Sequence, residues 1–150
     1  MLNTDDYIQI QNLIHSYPKF LDSGQLDKMG ELFAQATVYF EGVNEPLVND
    51  ARAVSAMFEN FLQLYEGKPR TRHAIVNLIL EEDGENRAVA TSTVVVFQQT
   101  DNLPLQPIIT GDYQDRFESS DGEWHFSERR ITNDLFGDLS AHGRYEFGPE

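Results

Sequence analysis

Thr71-Arg72-His73-Ala74-Ile75-Val76-Asn77-Leu78-Ile79-Leu80-Glu81-Glu82 is followed by Asp83-Gly84-Glu85-Asn86 and then by Arg87-Ala88-Val89-Ala90-Thr91-Ser92-Thr93-Val94-Val95-Val96-Phe97-Gln98-Gln99-Thr100. From Thr91 to Val96 every residue but Ser92 is β-branched, a composition that suits a pleated surface and crowds a helix. The Asp-Gly-Glu-Asn tetrapeptide between two such runs is a hairpin signal, so residues 72–82 and 87–100 are predicted as paired strands. Toward the C-terminus, residues 101–107 read as a loop and 108–119 as a third strand. Ser120-Asp121-Gly122 turns the chain into a fourth strand over 123–133. Short turns between consecutive strands imply an antiparallel meander.

Toward the N-terminus the period of the apolar residues changes from two to that of a helix. Tyr7, Ile10, Leu13, Ile14 and Tyr17 form one stripe on a helix starting at Asn3 or Thr4. Pro18 is expected to interrupt it, Phe20 and Leu21 to continue it after a kink, and Asp22-Ser23-Gly24 to end it. Leu26, Met29, Leu32 and Phe33 mark a second helix, and Val38-Tyr39-Phe40 a short strand closed by Gly42. A third helix is predicted over 50–66 on the stripe of Val54, Met57, Phe58, Phe61, Leu62 and Tyr65. Helices grouped before strands give an α+β domain, not alternating βαβ units.

With 150 residues the prior is one domain over 1–150, with a short tail from about residue 136. A 40% apolar content is enough for a core and excludes disorder. The net charge of −14 speaks against nucleic-acid and anionic-membrane partners, which need a basic patch. No apolar run approaches the ~18–20 residues of a membrane helix. Without cysteine, disulfides, thiolate metal sites and Cys nucleophiles are excluded. The opening residues show no basic segment followed by an apolar one, so a cytoplasmic location is expected. In Ala74 to Leu80 both alternating sets are apolar, whereas a surface antiparallel sheet shows one wet face. One face is expected against the helices and the other against a second copy, giving a homodimer through the sheet.

Three groups of residues carry a resemblance to a known family. The first is Ile8-Gln9-Ile10-Gln11-Asn12-Leu13-Ile14-His15-Ser16-Tyr17 with Leu21-Asp22-Ser23-Gly24-Gln25-Leu26-Asp27 and Leu32-Phe33. The second is Thr71-Arg72-His73 followed by Asn77. The third is Gly111-Asp112-Tyr113, Phe117, Asp121-Gly122 and Trp124-His125-Phe126 with Arg129 and Arg130. On these residues the chain resembles the SnoaL-like branch of the nuclear transport factor 2-like superfamily, and the resemblance covers roughly residues 4–135. The resemblance implies a curved antiparallel sheet wrapped around about three N-terminal helices into a cone, with a pocket at the wide end. Its members include scytalone dehydratase, hexachlorocyclohexane dehydrochlorinase, ketosteroid isomerase, polyketide cyclases, dioxygenase β-subunits and proteins without chemistry, so fold alone does not fix function.

A neutral imidazole at His73 can take a proton near pH 7 if its other nitrogen is held by an acceptor. In the dehydratase and dehydrochlorinase members a His at this position pairs with an Asp at the end of the first helix, and Asp22 matches that Asp. Read alone, a His near a strand start is more often a hydrogen-bonded structural residue, and Asp22 reads as a turn residue. Arg129, as a third catalytic candidate, could stabilise a leaving anion or an enolate. Strict alternation puts it with His125, Ser127, Ile131 and Asn133 on one face. A bulge near Glu128 would turn Arg130 inward instead, and a rim salt bridge is the plain alternative. Tyr17, Tyr39, Asn77, Tyr113 and Asn133 are the polar candidates for a ligand pocket. Phe33, Phe40, Met57, Phe58 and Phe136 are the apolar walls, or else ordinary core.

His15, His73, His125 and His142 lack metal-ligand spacing, and no nucleotide-binding motif occurs, so no metal and no cofactor are expected. The expected ligand is a small apolar or aromatic molecule. The expected activity is cofactor-free proton abstraction leading to elimination or isomerisation. The alternative is a ligand-binding or assembly subunit without turnover, such as a dioxygenase β-subunit-like protein.

Overall fold

Four long strands fill the second half of the computed structural model, which describes residues 1–145: β3 (Thr71–Glu82), β4 (Arg87–Thr100), β5 (Leu103–Ser120) and β6 (Glu123–Phe136). They pair antiparallel in sequence order, as the short turns require. The helices are α1 (Thr4–Asp22), α2 (Leu26–Glu31) and α3 (Ala51–Phe61). Two short strands, β1 (Thr37–Phe40) and β2 (Leu47–Val48), extend the sheet on the far side of β6, giving the order β2-β1-β6-β5-β4-β3. Because β1 runs parallel to β6, the sheet is mixed. The helices cover its inner face, and the core lies between, built on Ile10, Ile14, Leu21, Met29, Val54, Phe117 and Phe126. No helix among the described residues is long and apolar enough to cross a membrane.

Local physics moves several predicted boundaries. Pro18 does not interrupt α1, because Ile10, Ile14, Tyr17, Pro18 and Leu21 all bury on one face and packing outweighs the lost backbone bond. The segment 101–107 is mostly strand, since Thr100 pairs with Leu103 and leaves Asp101-Asn102 as a two-residue turn. Its prolines argue against a strand only if each must donate to the ladder. The register slips between the pairs Val96–Ile109 and Phe97–Pro107, so Ile108 bulges out of the pairing there. Helix α3 stops at Phe61 instead of near 66, because Leu62 turns extended and bridges to Gly143. The short β2, unmarked by any pattern, is held through Thr37–Val48 and Val38–Leu47.

Bulges bend the sheet and set which side chains face inward. In β6 the partners Phe117–Phe126 and Arg116–Glu128 leave Ser127 as an extra residue. Trp124 and Phe126 therefore share the buried face with Arg129, although simple alternation places them opposite it. Arg130 points outward, its guanidinium 3.8 Å above the Tyr39 ring. In β3 the pairing slips between Val76 and Ile79, where Asn77 takes φ 54° and stays exposed.

Candidate functional site

Asp22 is the last residue of α1, and the chain ends the helix there by local chemistry. Gly24 takes φ 79°, and its N–H donates to the Leu21 carbonyl while the Gln25 N–H donates to that of Phe20. This glycine-dependent pair of bonds satisfies the final carbonyls. A carboxylate at the negative end of a helix dipole is poorly placed unless donors hold it. Three do. The Thr71 hydroxyl donates to Oδ1 at 2.7 Å, the His73 backbone N–H to Oδ2 at 2.8 Å, and the His73 ring Nδ1 lies 2.6 Å from Oδ1. Burial raises the Asp22 pKa, but the His73 ring, Thr71 and the His73 N–H outweigh it and hold the carboxyl below its ordinary range.

His73 enters from the start of β3, the edge strand, in register with the buried Val96. Its side chain is 8% exposed and that of Asp22 11%, so little water competes for the contact. An ionised Asp22 requires a proton on Nδ1, so in the neutral imidazole the lone pair sits on Nε2, where it can act as a base. The Tyr17 ring stands edge-on to the imidazole, 6.4 Å between centroids.

The pair opens on a groove of about 540 Å³ between α1 and the beginning of β3. Its lining is His15, Pro18, Lys19, Asp22, Ser23, Lys68, Arg72 and His73. Gly24 helps to bring Lys68 there, because any Cβ at Gly24 would collide with the Gly67 carbonyl. Of the sequence-predicted residues only Asp22 and His73 line this groove. Among the described residues, no group of three or more His, Asp or Glu side chains is placed to hold a metal ion.

Arg129 is not in the groove. It is fully buried and forms a two-pronged pair with Asp115, Nε to Oδ1 and Nη2 to Oδ2 both at 2.8 Å. Its guanidinium lies 3.9 Å from the centre of the Tyr113 ring, 4.6 Å from Tyr17 and 4.9 Å from Phe126. Burial lowers its pKa, but Asp115 more than restores it, and the net direction is upward. Arg129, expected to stabilise a leaving anion, has its charge paired with Asp115 behind a shell of rings, away from the groove that Asp22 and His73 line. The Ser127 bulge that turns it inward leaves no mark in the alternation.

The expected ligand-pocket residues divide into three sets. Tyr17, Phe33 and Tyr113 are buried core around Arg129, and burial pushes the Tyr17 phenol up to about 12 and Tyr113 well above its usual value. Phe40 and Phe58 pack edge-on at 5.8 Å and, with Met57, Asn133 and Phe136, are half-buried away from the groove. Tyr39 and Asn77 face away from the interior, one under Arg130 and the other on its bulge. The aromatic stripes thus serve mainly as core, the plainer of the two readings their spacing allows.

Two buried polar residues carried no sequence signal. Gln98 on β4 donates to the carbonyls of Pro69 and Ala141, tying the segment after β6 to the start of β3. His142 is buried edge-on against Phe61, and its Nδ1 has no hydrogen-bond partner. Burial lowers its pKa to about 4 from an ordinary 6.5. Between these values the unfolded chain binds a proton that the folded chain refuses, so stability falls as pH drops through that window. The expected loss is about 3 kcal/mol at ~1.4 kcal/mol per pKa unit. Chemical denaturation of the wild type and His142→Phe at pH 7 and pH 4.5 checks this: the pH-induced loss should shrink in the variant, and an equal loss in both contradicts it.

The family model for the SnoaL-like domain matches residues 3–130. A protein of unknown function from Mycobacterium tuberculosis is 25% identical, with TM-score 0.68, over 86% of this chain and 72% of that one. A protein from Novosphingobium aromaticivorans assigned as a scytalone dehydratase is 21% identical, with TM-score 0.69, over 89% and 87%. A nuclear transport factor 2-like protein with a cystatin-like fold from the same organism is 18% identical, with TM-score 0.70, over 91% and 86%. The last two show likeness of fold alone. No curated protein matches this chain. With the family model covering most of its length, the chain belongs to the SnoaL-like domain family.

Proposed function

We propose that this protein is a cofactor-independent lyase or isomerase in which Asp22 orients His73 as a general base. The observation that supports this is the 2.6 Å contact between Nδ1 and Asp22, with Asp22 itself fixed by Thr71 and the His73 N–H. Nε2 takes a proton from a carbon next to an electron-withdrawing group, and the electron pair stays with the substrate. The ionised Asp22 stabilises the imidazolium. Expulsion of a leaving group with its electron pair completes an elimination; return of the proton at another carbon completes an isomerisation. The test is solvent-deuterium incorporation into a panel of small carbonyl compounds, followed by NMR, for the wild type, His73→Ala and Asp22→Asn. Exchange that vanishes in both variants supports the dyad, and exchange unchanged in His73→Ala refutes it.

A second reading, a binding or assembly subunit, is favoured by the filled interior. Arg129, Asp115, Tyr17, Phe33 and Tyr113 occupy the space where an apolar ligand chamber is expected. Under either reading the outer face of the sheet is proposed as a homodimer interface. Ile79 and Leu135 are 59% and 65% exposed on strands that the helices do not cover from that side, and Val76 is also exposed. Sedimentation at micromolar concentration should give a dimer, and Leu135→Glu should shift it to monomer. A wild-type monomer contradicts the interface.

A further inference from the structure

The groove beside Asp22 and His73 has a charge unlike the rest of the molecule. The chain carries 25 acidic and 11 basic residues, yet Lys19, Lys68 and Arg72 converge on this one groove with Asp22 as its sole carboxylate. Two of the chain's three lysines are used there. Elsewhere Arg52 pairs with Glu59, Arg116 with Asp83, Arg129 with Asp115 and Arg130 with Glu128, while Lys28, Arg70, Arg87 and Arg144 form no ion pair among the described residues and do not line this groove. Among the described residues, Lys19, Lys68 and Arg72 make no ion pair. What sets the groove apart is that three unpaired cations converge on one concavity in a chain so rich in carboxylates. The groove is also of a size that holds a small organic molecule.

The positions follow from local structure. His15, Pro18, Lys19 and Asp22 lie at helical spacing along one side of α1. Arg72 immediately precedes His73 on β3, and the Gly24–Gly67 approach holds the turn bearing Lys68 beside the end of α1. We infer that the groove is the binding site for an organic anion, a small carboxylate whose charged end is held by Lys19, Lys68 and Arg72 while its body lies beside His73. This deepens the dyad reading by naming a substrate class, and it adds a charged end to the small apolar or aromatic ligand expected from the sequence. Cations at this rim also suit a reaction that builds negative charge on the substrate once a proton has left.

Benzoate, with neutral benzamide as its isostere, is the probe. In NMR titrations at low salt, benzoate should shift the His73 ring signals and benzamide should not. Lys19→Gln and Arg72→Gln each remove an exposed cation, and each should weaken benzoate about two- to fivefold. The double variant should lose about tenfold, and 0.5 M salt should weaken the wild type similarly. Equal binding of benzamide, no binding of benzoate, shifts that bypass His73, or an unchanged double variant each overturns the inference. Failure here is distinguishable from failure of the dyad. Deuterium exchange on neutral ketones that needs His73, together with no cation-dependent binding of benzoate, leaves the dyad standing and the anion site refuted. Cation-dependent benzoate binding without any His73-dependent exchange does the reverse.

Discussion

Asp115→Asn is expected to destabilise the protein by about 3–5 kcal/mol, the usual cost of leaving a buried charge without its partner. For a chain of this size that corresponds to a fall in Tm of roughly 10 °C or more. The asparagine keeps the shape and one acceptor, but Arg129 stays charged, fully buried and ringed by Tyr17, Tyr113 and Phe126. Its Nη1 already lacks a hydrogen-bond partner, so nothing nearby is free to replace the lost carboxylate oxygen. Replacing both partners with apolar residues, Asp115→Leu with Arg129→Met, should recover most of the loss, because desolvation of the ion pair offsets much of its Coulombic gain. Thermal denaturation of the single and double variants measures this. A single variant within 1 kcal/mol of wild type would show that Arg129 reaches water or another partner. The assignment also separates core from chemistry: the double variant should retain whatever exchange activity His73 supports, since Arg129 does not line the groove.

The meander was legible because β-branched runs and Asp-Gly turns are local signals, and the strands from Thr71 to Phe136 follow them closely. The same holds for the end of α1, where Asp22-Ser23-Gly24 marks the cap that presents the carboxylate. Bulges were less legible. Ser127 inverts the facing of Trp124 and Phe126 relative to Arg129 through one unpaired residue, and a period-two reading carries no trace of it. The short β2 and the parallel pairing of β1 with β6 depend on contacts distant in sequence, as do the ties from Gln98 to Ala141 and from Phe61 to His142 in the segment after β6. Asp115 was missed for a different reason. An acidic residue between Gln114 and Arg116 looks like part of a solvated face, although alternation sets it on the buried face with Tyr113 and Phe117, and the register opposite Arg129 supplies its partner. The contact between Asp22 and His73, 51 positions apart, came from resemblance, since spacing alone cannot bring two such residues together.

Asp22→Asn should lower any His73-dependent proton transfer by about 10²–10⁴-fold, the range over which a positioned general base contributes. Asparagine has one acceptor oxygen, which can keep the bond from the His73 N–H, while its amide NH2 can donate to the Thr71 hydroxyl oxygen, so the fold around the helix end should survive. It cannot supply the negative charge that selects the Nδ1–H tautomer and stabilises the imidazolium after proton abstraction. A change in rate with little change in Tm at pH 7 therefore separates orientation of the base from support of the fold. Stability against pH gives a second readout with a definite sign. The native Asp22 pKa lies below that of the unfolded chain, so its contribution is present above about pH 4 and is lost as pH falls through the native value. Asp22→Asn should be less acid-sensitive than wild type in that range, while His73→Ala should leave Asp22 easier to protonate. Exchange kinetics and acid unfolding on the same three proteins test both parts. Asp22→Asn retaining full exchange would make the carboxylate a helix-end anchor only, and His73 would then have to act without it.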